Sequence, residues 1–265
     1  MRCALTIAGS DPTGGAGLQA DLQVFAAYGL HGSGVVTALT IQDSTGVHRV
    51  MPVFPSVALD QLRVLLADMT PAAIKIGMLA SDDVARAVQL ALAGLAETIP
   101  IVIDPVLAAS DGTPLLERRA WPVLRELMRD AALVTPNLPE AELLTDIPIS
   151  GAEDCERAAK VFLEEFGCKA VLIKGGHREG PPHDLLAMGD DPSNEMIWLE
   201  GQRIEVGPVR GTGCALASAI AAGLGLGQDL EKAVASARRF VTTRLQDSGA
   251  LGEGARFLAP AGGRP

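Results

Sequence analysis

Short apolar runs recur along the chain, and segments with the periodicity of amphipathic helices separate them. The runs are brief, rich in β-branched residues and hydrophobic without alternation, which is typical of strands covered on both faces in a parallel sheet. The alternation of such strands with helices predicts a doubly wound α/β fold with a mostly parallel central sheet. The predicted strands are residues 4–8, 35–41, 73–76, 101–103, 133–134 and 170–173.

Helix signals lie between these strands. The spacing of amphipathic helices is found in residues 56–69, 81–95 and 150–166. Ser81 is a typical N-cap because two aspartates follow it in the first turn, and Ser150 is placed to form a capping box with Glu153.

The stretch from Asp184 to Val206 has a different pattern. Its short apolar segments, joined by polar turns, predict an antiparallel addition at one sheet edge, formed by residues 185–188, 196–199 and 203–206. No linker or internal repeat divides the chain, so we expect a single domain of residues 1–265. The tail from Gly249, rich in Gly, Ala and Pro, is expected to fray.

Composition argues against several classes of partner. The net charge of −10 at pH 7 leaves no excess of Lys and Arg for a nucleic acid or an anionic membrane. The four cysteines, none in Cys-x-x-Cys spacing, predict neither a zinc site nor a disulfide framework. Because no apolar run reaches the roughly 18–20 residues of a membrane span, we expect a cytoplasmic protein.

The motif that is most informative about function is residues 210–214, Arg-Gly-Thr-Gly-Cys, which precede a long run of small apolar residues. The two glycines allow a positive φ and a close approach between backbone and ligand. The run predicts a buried helix, whose first N–H groups attract anions. A thiol at that position is expected to have a lowered pKa, which makes Cys214 a candidate base or nucleophile beside a phosphate.

Polar residues follow the predicted strands at the edge where open α/β sheets bind ligands. Asp104 follows the fourth strand, Asn137 and Glu140 follow the fifth, and Lys174 follows the sixth. This set suits a phosphorylated nucleotide and a divalent cation. A purely structural alternative stands beside it: Asp104 satisfying a loop, and Asn137 with Glu140 capping a helix. Lys174 favours function, because an unpaired buried ammonium is costly.

A second glycine motif leaves a rival of another class open. Gly15-x-Gly17-x-x-Ala20 fits the dinucleotide-binding fingerprint, and Asp43 lies near the offset of about 20 residues expected for a ribose-binding acid. The match is weak alone, and its first glycine comes six residues after Gly9, late for a turn that leaves the first strand. An NAD-dependent oxidoreductase is the remote alternative that it supports.

Taken in order, these residues resemble the ribokinase-like superfamily and, within it, the hydroxymethylpyrimidine and phosphomethylpyrimidine kinases of thiamine biosynthesis. The resemblance spans nearly the whole chain. It is carried by residues 4–11 and 14–22, Lys-Ile-Gly-Met-Leu at 75–79, Asp-Pro-Val at 104–106, Thr-Pro-Asn-Leu-Pro-Glu-Ala at 135–141, Lys-Gly-Gly-His at 174–177 and Gly-Thr-Gly-Cys at 211–214. It implies helices on both sheet faces, ATP as co-substrate, Mg²⁺ as cofactor and a homodimer.

The resemblance also implies roles for individual residues. Gly211, Thr212 and Gly213 would form an anion hole for the migrating phosphoryl group, and Cys214 would act as the base. The implied ATP contacts are Lys174, Asn137 and Thr212, and the implied magnesium ligands, acting through water, are Asp104 and Glu140. The residues implied to line a pyrimidine pocket are Gly9, Asp21, Gln42, Met78 and Val106.

One departure and one alternative accompany the resemblance. Arg210 stands where many relatives have a histidine, and either a phosphate contact or exposure to solvent is open for it. A pyridoxal kinase is the nearest alternative, because some of these enzymes share the framework and carry a cysteine at the catalytic turn. Gln42 and Met78 favour the pyrimidine, since an amide can donate to and accept from an aminopyrimidine edge.

Overall fold

A nine-stranded sheet forms the centre of the computed structural model, which describes residues 1–129, 131–177, 180–189 and 196–260. The strand order is β3-β2-β1-β4-β5-β6-β7-β8-β9, and the pairs from β2 through β7 are parallel. The strands are β1 (Cys3–Ser10), β2 (His31–Gln42), β3 (Val47–Pro52), β4 (Ala73–Ile76), β5 (Ile101–Ile103), β6 (Leu133–Val134), β7 (Ala170–Ile173), β8 (Asp184–Met188) and β9 (Met196–Leu199).

Helices cover both faces of this sheet. They are α1 (Gly17–Ala27), α2 (Pro55–Asp68), α3 (Asp82–Leu92), α4 (Trp121–Arg129), α5 (Leu138–Thr145), α6 (Ala152–Lys160), α7 (Thr212–Gly225) and α8 (Leu230–Gln246). Successive strand residues point to opposite faces: Ile101 and Ile103 pack in the core beneath α2 to α6, whereas Val102 packs in the core beneath α1, α7 and α8. The predicted α/β fold is confirmed.

Antiparallel strands lie at both edges of the sheet. The predicted addition is present as β8 and β9, which pair antiparallel beside β7. At the other edge β2 and β3 form an antiparallel hairpin that the sequence did not indicate. Every residue of β3 is exposed or half-buried, so the strand lacks the apolar run by which buried strands are recognised.

The third strand of the predicted addition, residues 203–206, does not form. This segment is a loop, and the guanidinium of Arg203 donates from Nε to the carbonyl oxygen of Gly180 over 2.9 Å and from Nη2 to that of Gly176 over 3.4 Å. Its apolar and polar residues alternate over too short a length to compete with these contacts. The prediction of a strand at this position was wrong.

The chain beyond Gly249 is held by pairing rather than frayed. Strand β10 (Val209–Arg210) runs parallel to β11 (Arg256–Phe257), and Gly249 and Phe257 exchange two backbone hydrogen bonds. The expected fraying was therefore wrong for this part of the tail, because composition does not show a distant pairing partner. Residues 261–265 lie outside the described residues.

The serines predicted to cap α3 and α6 lie at or next to the starts of these helices. Ser81 caps α3 as predicted, since its Oγ accepts from the N–H of Val84 over 3.3 Å. The capping box predicted for Ser150 and Glu153 does not form: Gly151 is the N-cap of α6, and Asp154 Oδ2 accepts from the N–H of Gly151 over 3.2 Å and from the N–H and Oγ of Ser150 over 2.8 and 2.7 Å. Among the described residues, no helix has both the length and the apolarity that crossing a membrane requires.

Candidate active site

The carboxyl ends of the parallel strands and the N-terminus of α7 open into one cavity of about 1290 Å³. A parallel sheet brings residues that are far apart in sequence to this edge, as the strand-end argument predicts. The predicted site residues that line the cavity are Gly9, Gln42, Met78, Asp104, Val106, Asn137, Glu140, Lys174, Gly211, Thr212, Gly213 and Cys214.

Asp21 is the exception, and its predicted place in the pyrimidine pocket was wrong. Its side chain is completely buried and accepts hydrogen bonds from Thr6 Oγ1 at 2.6 Å, Lys75 Nζ at 2.8 Å and Ser218 Oγ at 2.7 Å. Ser218 lies one helical turn after Cys214 on α7. Asp21 therefore holds the buried ammonium of Lys75 beside the cavity and is not itself among the residues that line it.

The turn before α7 depends on a glycine. Gly211 is the N-cap of the helix and has φ +79°, and a Cβ at this position would overlap the carbonyl oxygen of Gly15. The first intrahelical hydrogen bond runs from Ala215 to Gly211, so the N–H groups of Thr212, Gly213 and Cys214 have no carbonyl partner within the helix. These groups and the helix dipole form a site for an anion.

A lysine faces this helix start. A Cβ on Gly213 would lie 3.2 Å from Lys174 Nζ and 3.7 Å from Asp104 Oδ2. Lys174 Nζ donates to Asp104 Oδ1 over 2.8 Å. Burial opposes the charge of Lys174, but the carboxylates of Asp104 and Glu140 raise its pKa above the ordinary value. A phosphate at the turn would thus lie between the N–H groups of α7 and a permanently charged ammonium.

Asn137 and Glu140 form the capping box that the structural alternative proposed. Asn137 Oδ1 accepts from the N–H of Glu140, and Glu140 Oε2 accepts from the N–H of Asn137, each over 2.8 Å. Both residues nevertheless line the cavity. Burial raises the pKa of Glu140 to about 7, while the charge of Lys174 lowers it and the carboxylate of Asp104 raises it.

The carboxylates of Asp104 and Glu140 suit a cation that is also bound by the phosphates of a substrate. Asp104 and Glu140 are 3% and 6% exposed, so two carboxylates share a poorly solvated region with Lys174. The described residues contain no group of three or more His, Cys, Asp or Glu side chains that could hold a metal alone. This set matches Mg²⁺, which proteins bind through one or two carboxylates, water and substrate phosphates.

Cys214 has a raised pKa, contrary to the expectation from its position at a helix start. Burial raises the pKa of the thiol to about 11, the nearby charge of Lys75 lowers it, and the carboxylates of Asp104 and Asp21 raise it. A hydrogen bond with the backbone of Gly17 lowers it further. Desolvation outweighs the helix dipole and Lys75, so the neutral thiol is the resting form near pH 7.

The remaining predicted pocket residues, Gly9, Gln42, Met78 and Val106, also line the cavity. A Cβ on Gly9 would lie 2.9 Å from Met78 Sδ, so the absence of a side chain there lets the methionine close the wall. Gln42 accepts at Oε1 a hydrogen bond of 2.7 Å from Arg210 Nη1.

The sequence did not reveal the residues that bind the Gln42 side chain and the loop after Lys174. Arg210 was left between phosphate and solvent, but it binds Gln42. Asp184 accepts from the N–H of Gly175 and from Arg238 Nε, each over 2.9 Å, and so fixes the loop after Lys174. Of these residues, only Arg210 was noticed in the sequence, because it departs from the family pattern beside the glycine turn.

The residues of the dinucleotide alternative are placed elsewhere. Asp43 is exposed in the turn between β2 and β3, where it accepts from Thr45 and contacts His48. It does not line the cavity. A side chain on Gly15 would collide with the ring of Phe257, so protein fills the space beside this glycine. The ribose-binding interpretation of Asp43 was wrong.

Comparisons with known proteins agree with this geometry. A family model described as phosphomethylpyrimidine kinase matches residues 11–258. A protein of Synechococcus elongatus named hydroxymethylpyrimidine/phosphomethylpyrimidine kinase is 40% identical over 252 residues, which are 95% of this chain and 94% of that protein. The crystal structure of phosphomethylpyrimidine kinase from Clostridium difficile superposes with a TM-score of 0.78 at 35% identity, covering 92% of this chain and 99% of that one.

A related kinase is also close in structure. The ADP complex of Bacillus subtilis pyridoxal kinase superposes with a TM-score of 0.87 at 29% identity and covers 98% of both chains. The backbone is therefore shared by kinases named for two different substrates, and the fold alone does not select between them.

The raised pKa of Cys214 predicts a slow, pH-dependent reaction with iodoacetamide. Only the thiolate reacts, so the alkylation rate should rise about tenfold per pH unit from pH 7.5 to 10. Mass spectrometry of the Cys214 peptide in a Cys3→Ser background measures it, because Cys3 is the other partly exposed thiol and Cys155 and Cys168 are buried. A rate that is already constant at pH 8 would contradict the raised pKa.

The geometry of the turn predicts that Gly211→Ala lowers the rate of ATP consumption by about 10²-fold or more, because the new Cβ displaces the helix N-terminus from the site. Gly207→Ala is the matched control: Gly207 has φ +76° and a Cβ there would have nothing within 4 Å. Both variants carry the cost of a left-handed alanine, but only the first has a collision. Equal losses in the two variants would contradict this account.

Proposed function

Because the chain belongs to the phosphomethylpyrimidine kinase family, we propose that it phosphorylates 4-amino-5-hydroxymethyl-2-methylpyrimidine with ATP and then converts the monophosphate to the diphosphate. The chain is a phosphotransferase, and thiamine biosynthesis is the pathway that its relatives' names indicate. The observation that carries the proposal is the anion site at the start of α7. Lys174 lies beside this site, and the same cavity is lined by Gly9, Gln42, Met78 and Val106.

ATP is proposed to place its transferred phosphoryl group at the N–H groups of Thr212, Gly213 and Cys214. Lys174 would neutralise the phosphate oxygens from the opposite side. Because Gly213 has no side chain, the ammonium of Lys174 can lie close to the helix start. Asn137 lines the same region. Asp104 and Glu140 would hold Mg²⁺ through water, and the ion would supply charge neutralisation at the phosphates.

The pyrimidine is proposed to occupy the end lined by Gly9, Gln42, Met78 and Val106. Its hydroxymethyl group then faces Cys214 and the anion site, as in-line transfer requires. Phosphoryl transfer passes through a loose transition state, so catalysis rests mainly on alignment and on charge stabilisation at the transferred group. The fixed N–H groups and Lys174 provide that stabilisation without rearrangement.

Cys214 is proposed to take the hydroxyl proton in the first reaction. Only the thiolate form of Cys214 can accept this proton. Burial leaves a small fraction of the thiol ionised, which limits this step, and the nearby charge of Lys75 increases that fraction. In the second reaction the nucleophile is an anionic phosphate oxygen, which needs no base. The two reactions therefore make different demands on the same site.

Parallel assays of ATP consumption with the hydroxymethylpyrimidine, its monophosphate, pyridoxal and pyridoxine test the proposed function. We expect turnover of both pyrimidines. Phosphorylation of the monophosphate is the decisive result, because a vitamin B6 kinase has no reason to phosphorylate a pyrimidine monophosphate. Turnover of pyridoxal with no reaction of either pyrimidine would overturn the proposal.

A pyridoxal kinase is the second candidate, and the higher TM-score of the Bacillus subtilis enzyme favours it. Sequence identity favours the pyrimidine, at 40% to the Synechococcus elongatus protein against 29% to the pyridoxal kinase. The amide of Gln42 also matches an aminopyrimidine edge.

The roles of the two reactions predict that Cys214→Ala lowers the first turnover rate by about 10²-fold, as loss of a general base does. The second rate should fall much less. The first reaction of the unmodified enzyme should accelerate from pH 7 to 9, because the thiolate fraction grows toward its pKa of about 11, and the variant should lose this acceleration. Cys3→Ala serves as control. Equal losses in both reactions would assign Cys214 to binding alone.

A cytoplasmic homodimer remains our proposal for the assembly. Exposed apolar side chains on and beside the β2–β3 hairpin support an interface there, and they are Leu39, Ile41, Met51 and Phe54. This edge of the sheet is opposite to the edge formed by β9.

A further inference from the structure

We propose that Arg210 is a specificity-determining residue that fixes the orientation of the Gln42 side-chain amide, so that the pocket accepts a 4-aminopyrimidine and rejects its 4-oxo analogue. The inference rests on the proposed function and goes beyond it, because it assigns a role in substrate choice to a residue outside the anion site. Arg210 acts through Gln42 and is therefore a positioning residue.

The backbone of Arg210 is held in place by its neighbours. Val209 and Arg210 form β10, which pairs with Arg256 and Phe257 of β11. The next residue, Gly211, fixes the turn into α7. The side chain of Arg210 is therefore attached to a fixed segment of backbone, and Arg210 lines the cavity.

The contact between the two side chains has a defined polarity. Arg210 Nη1 donates to Gln42 Oε1 over 2.7 Å, across 168 residues of sequence. A guanidinium carries only donors, so it binds the amide oxygen and repels the amide nitrogen. Gln42 Nε2 has no hydrogen-bond partner among the residues that the structure describes, and Gln42 lines the cavity.

An amide of fixed orientation distinguishes two pyrimidines that have almost the same shape. A 4-aminopyrimidine offers an acceptor at the ring nitrogen and a donor at the amino group, which match Nε2 and the second lone pair of Oε1. In the 4-oxo analogue the ring nitrogen carries hydrogen and the exocyclic atom is an acceptor. The amide would have to turn over by 180° to match that pattern, and Arg210 opposes the turn.

Removal of the guanidinium should therefore relax specificity. Oxygen and nitrogen of an amide have nearly the same size, so an unrestrained glutamine satisfies either pattern. Loss of a charge-assisted hydrogen bond changes such a preference by about tenfold or more. The change should appear mainly in KM, because Arg210 does not contact the transferred phosphoryl group in this arrangement.

The test compares kcat and KM for 4-amino-5-hydroxymethyl-2-methylpyrimidine and for its 4-oxo analogue in a double-mutant cycle. The proteins are the unmodified enzyme, Arg210→Met, Gln42→Leu, the double variant, Arg210→Lys as the conservative variant and Arg86→Met as the matched control. Arg86 pairs with Asp82 on an exposed surface of α3 and is not among the residues that line the cavity. Thermal unfolding checks that each variant is folded, and Arg210→Gln replaces Arg210→Met if that variant is not.

We expect the preference for the amino compound to fall about tenfold in Arg210→Met, chiefly through KM. Arg210→Lys should retain part of the preference, and Arg86→Met all of it. In the Gln42→Leu background the Arg210 substitution should have no further effect. An unchanged preference, or equal kcat losses for both compounds in both backgrounds, would overturn the inference.

Failure of the proposed function is seen separately. If the unmodified enzyme phosphorylates neither pyrimidine, calorimetric binding of the two compounds to the enzyme and to Arg210→Met decides the role of Arg210. A binding preference that the variant loses supports that role although the reaction is different. Absence of binding overturns both proposals.

Discussion

The left-handed turn at Gly211 is the constraint on which the site depends. It brings the backbone into contact with the carbonyl of Gly15, at the loop before α1, and starts α7 at the carboxyl edge of the sheet. The unpaired N–H groups of the helix therefore meet Lys174 and Asp104, which come from the strands at the centre. The helix start supplies N–H donors and partial positive charge, and Lys174 supplies a full positive charge. Their opposition creates a pocket of fixed charge.

Two buried ion pairs lie beneath and beside that pocket. Lys75 with Asp21 is completely buried, and Lys174 with Asp104 is nearly so. Buried pairs of this kind contribute little net stability, because desolvation of the ions offsets their attraction. Their position at the catalytic edge suggests a functional reason for keeping them. Each pair holds the ammonium of its lysine at a defined place beside the cavity.

The sequence predicted what depends on local pattern. The buried central strands and the buried helix after the Gly-Thr-Gly-Cys turn follow from apolar runs, although the helix begins earlier than the run, at Thr212. The convergence of Lys174, Asp104 and Gly213 follows from the topology of parallel sheets. It did not predict β3, which is exposed, or β11, whose partner is distant. The place of Asp21 and the pKa of Cys214 were misjudged for one reason: both depend on burial and neighbouring charges, and neither of these can be read from spacing.

The central claim is that the start of α7 and Lys174 bind one phosphoryl group between them. A crystal structure with magnesium, a non-hydrolysable ATP analogue and the hydroxymethylpyrimidine tests it most directly. The account predicts that the terminal phosphate accepts hydrogen bonds from the N–H groups of residues 212–214 and from Lys174 Nζ, with the pyrimidine hydroxyl facing it. A terminal phosphate bound out of reach of the α7 N-terminus would contradict it.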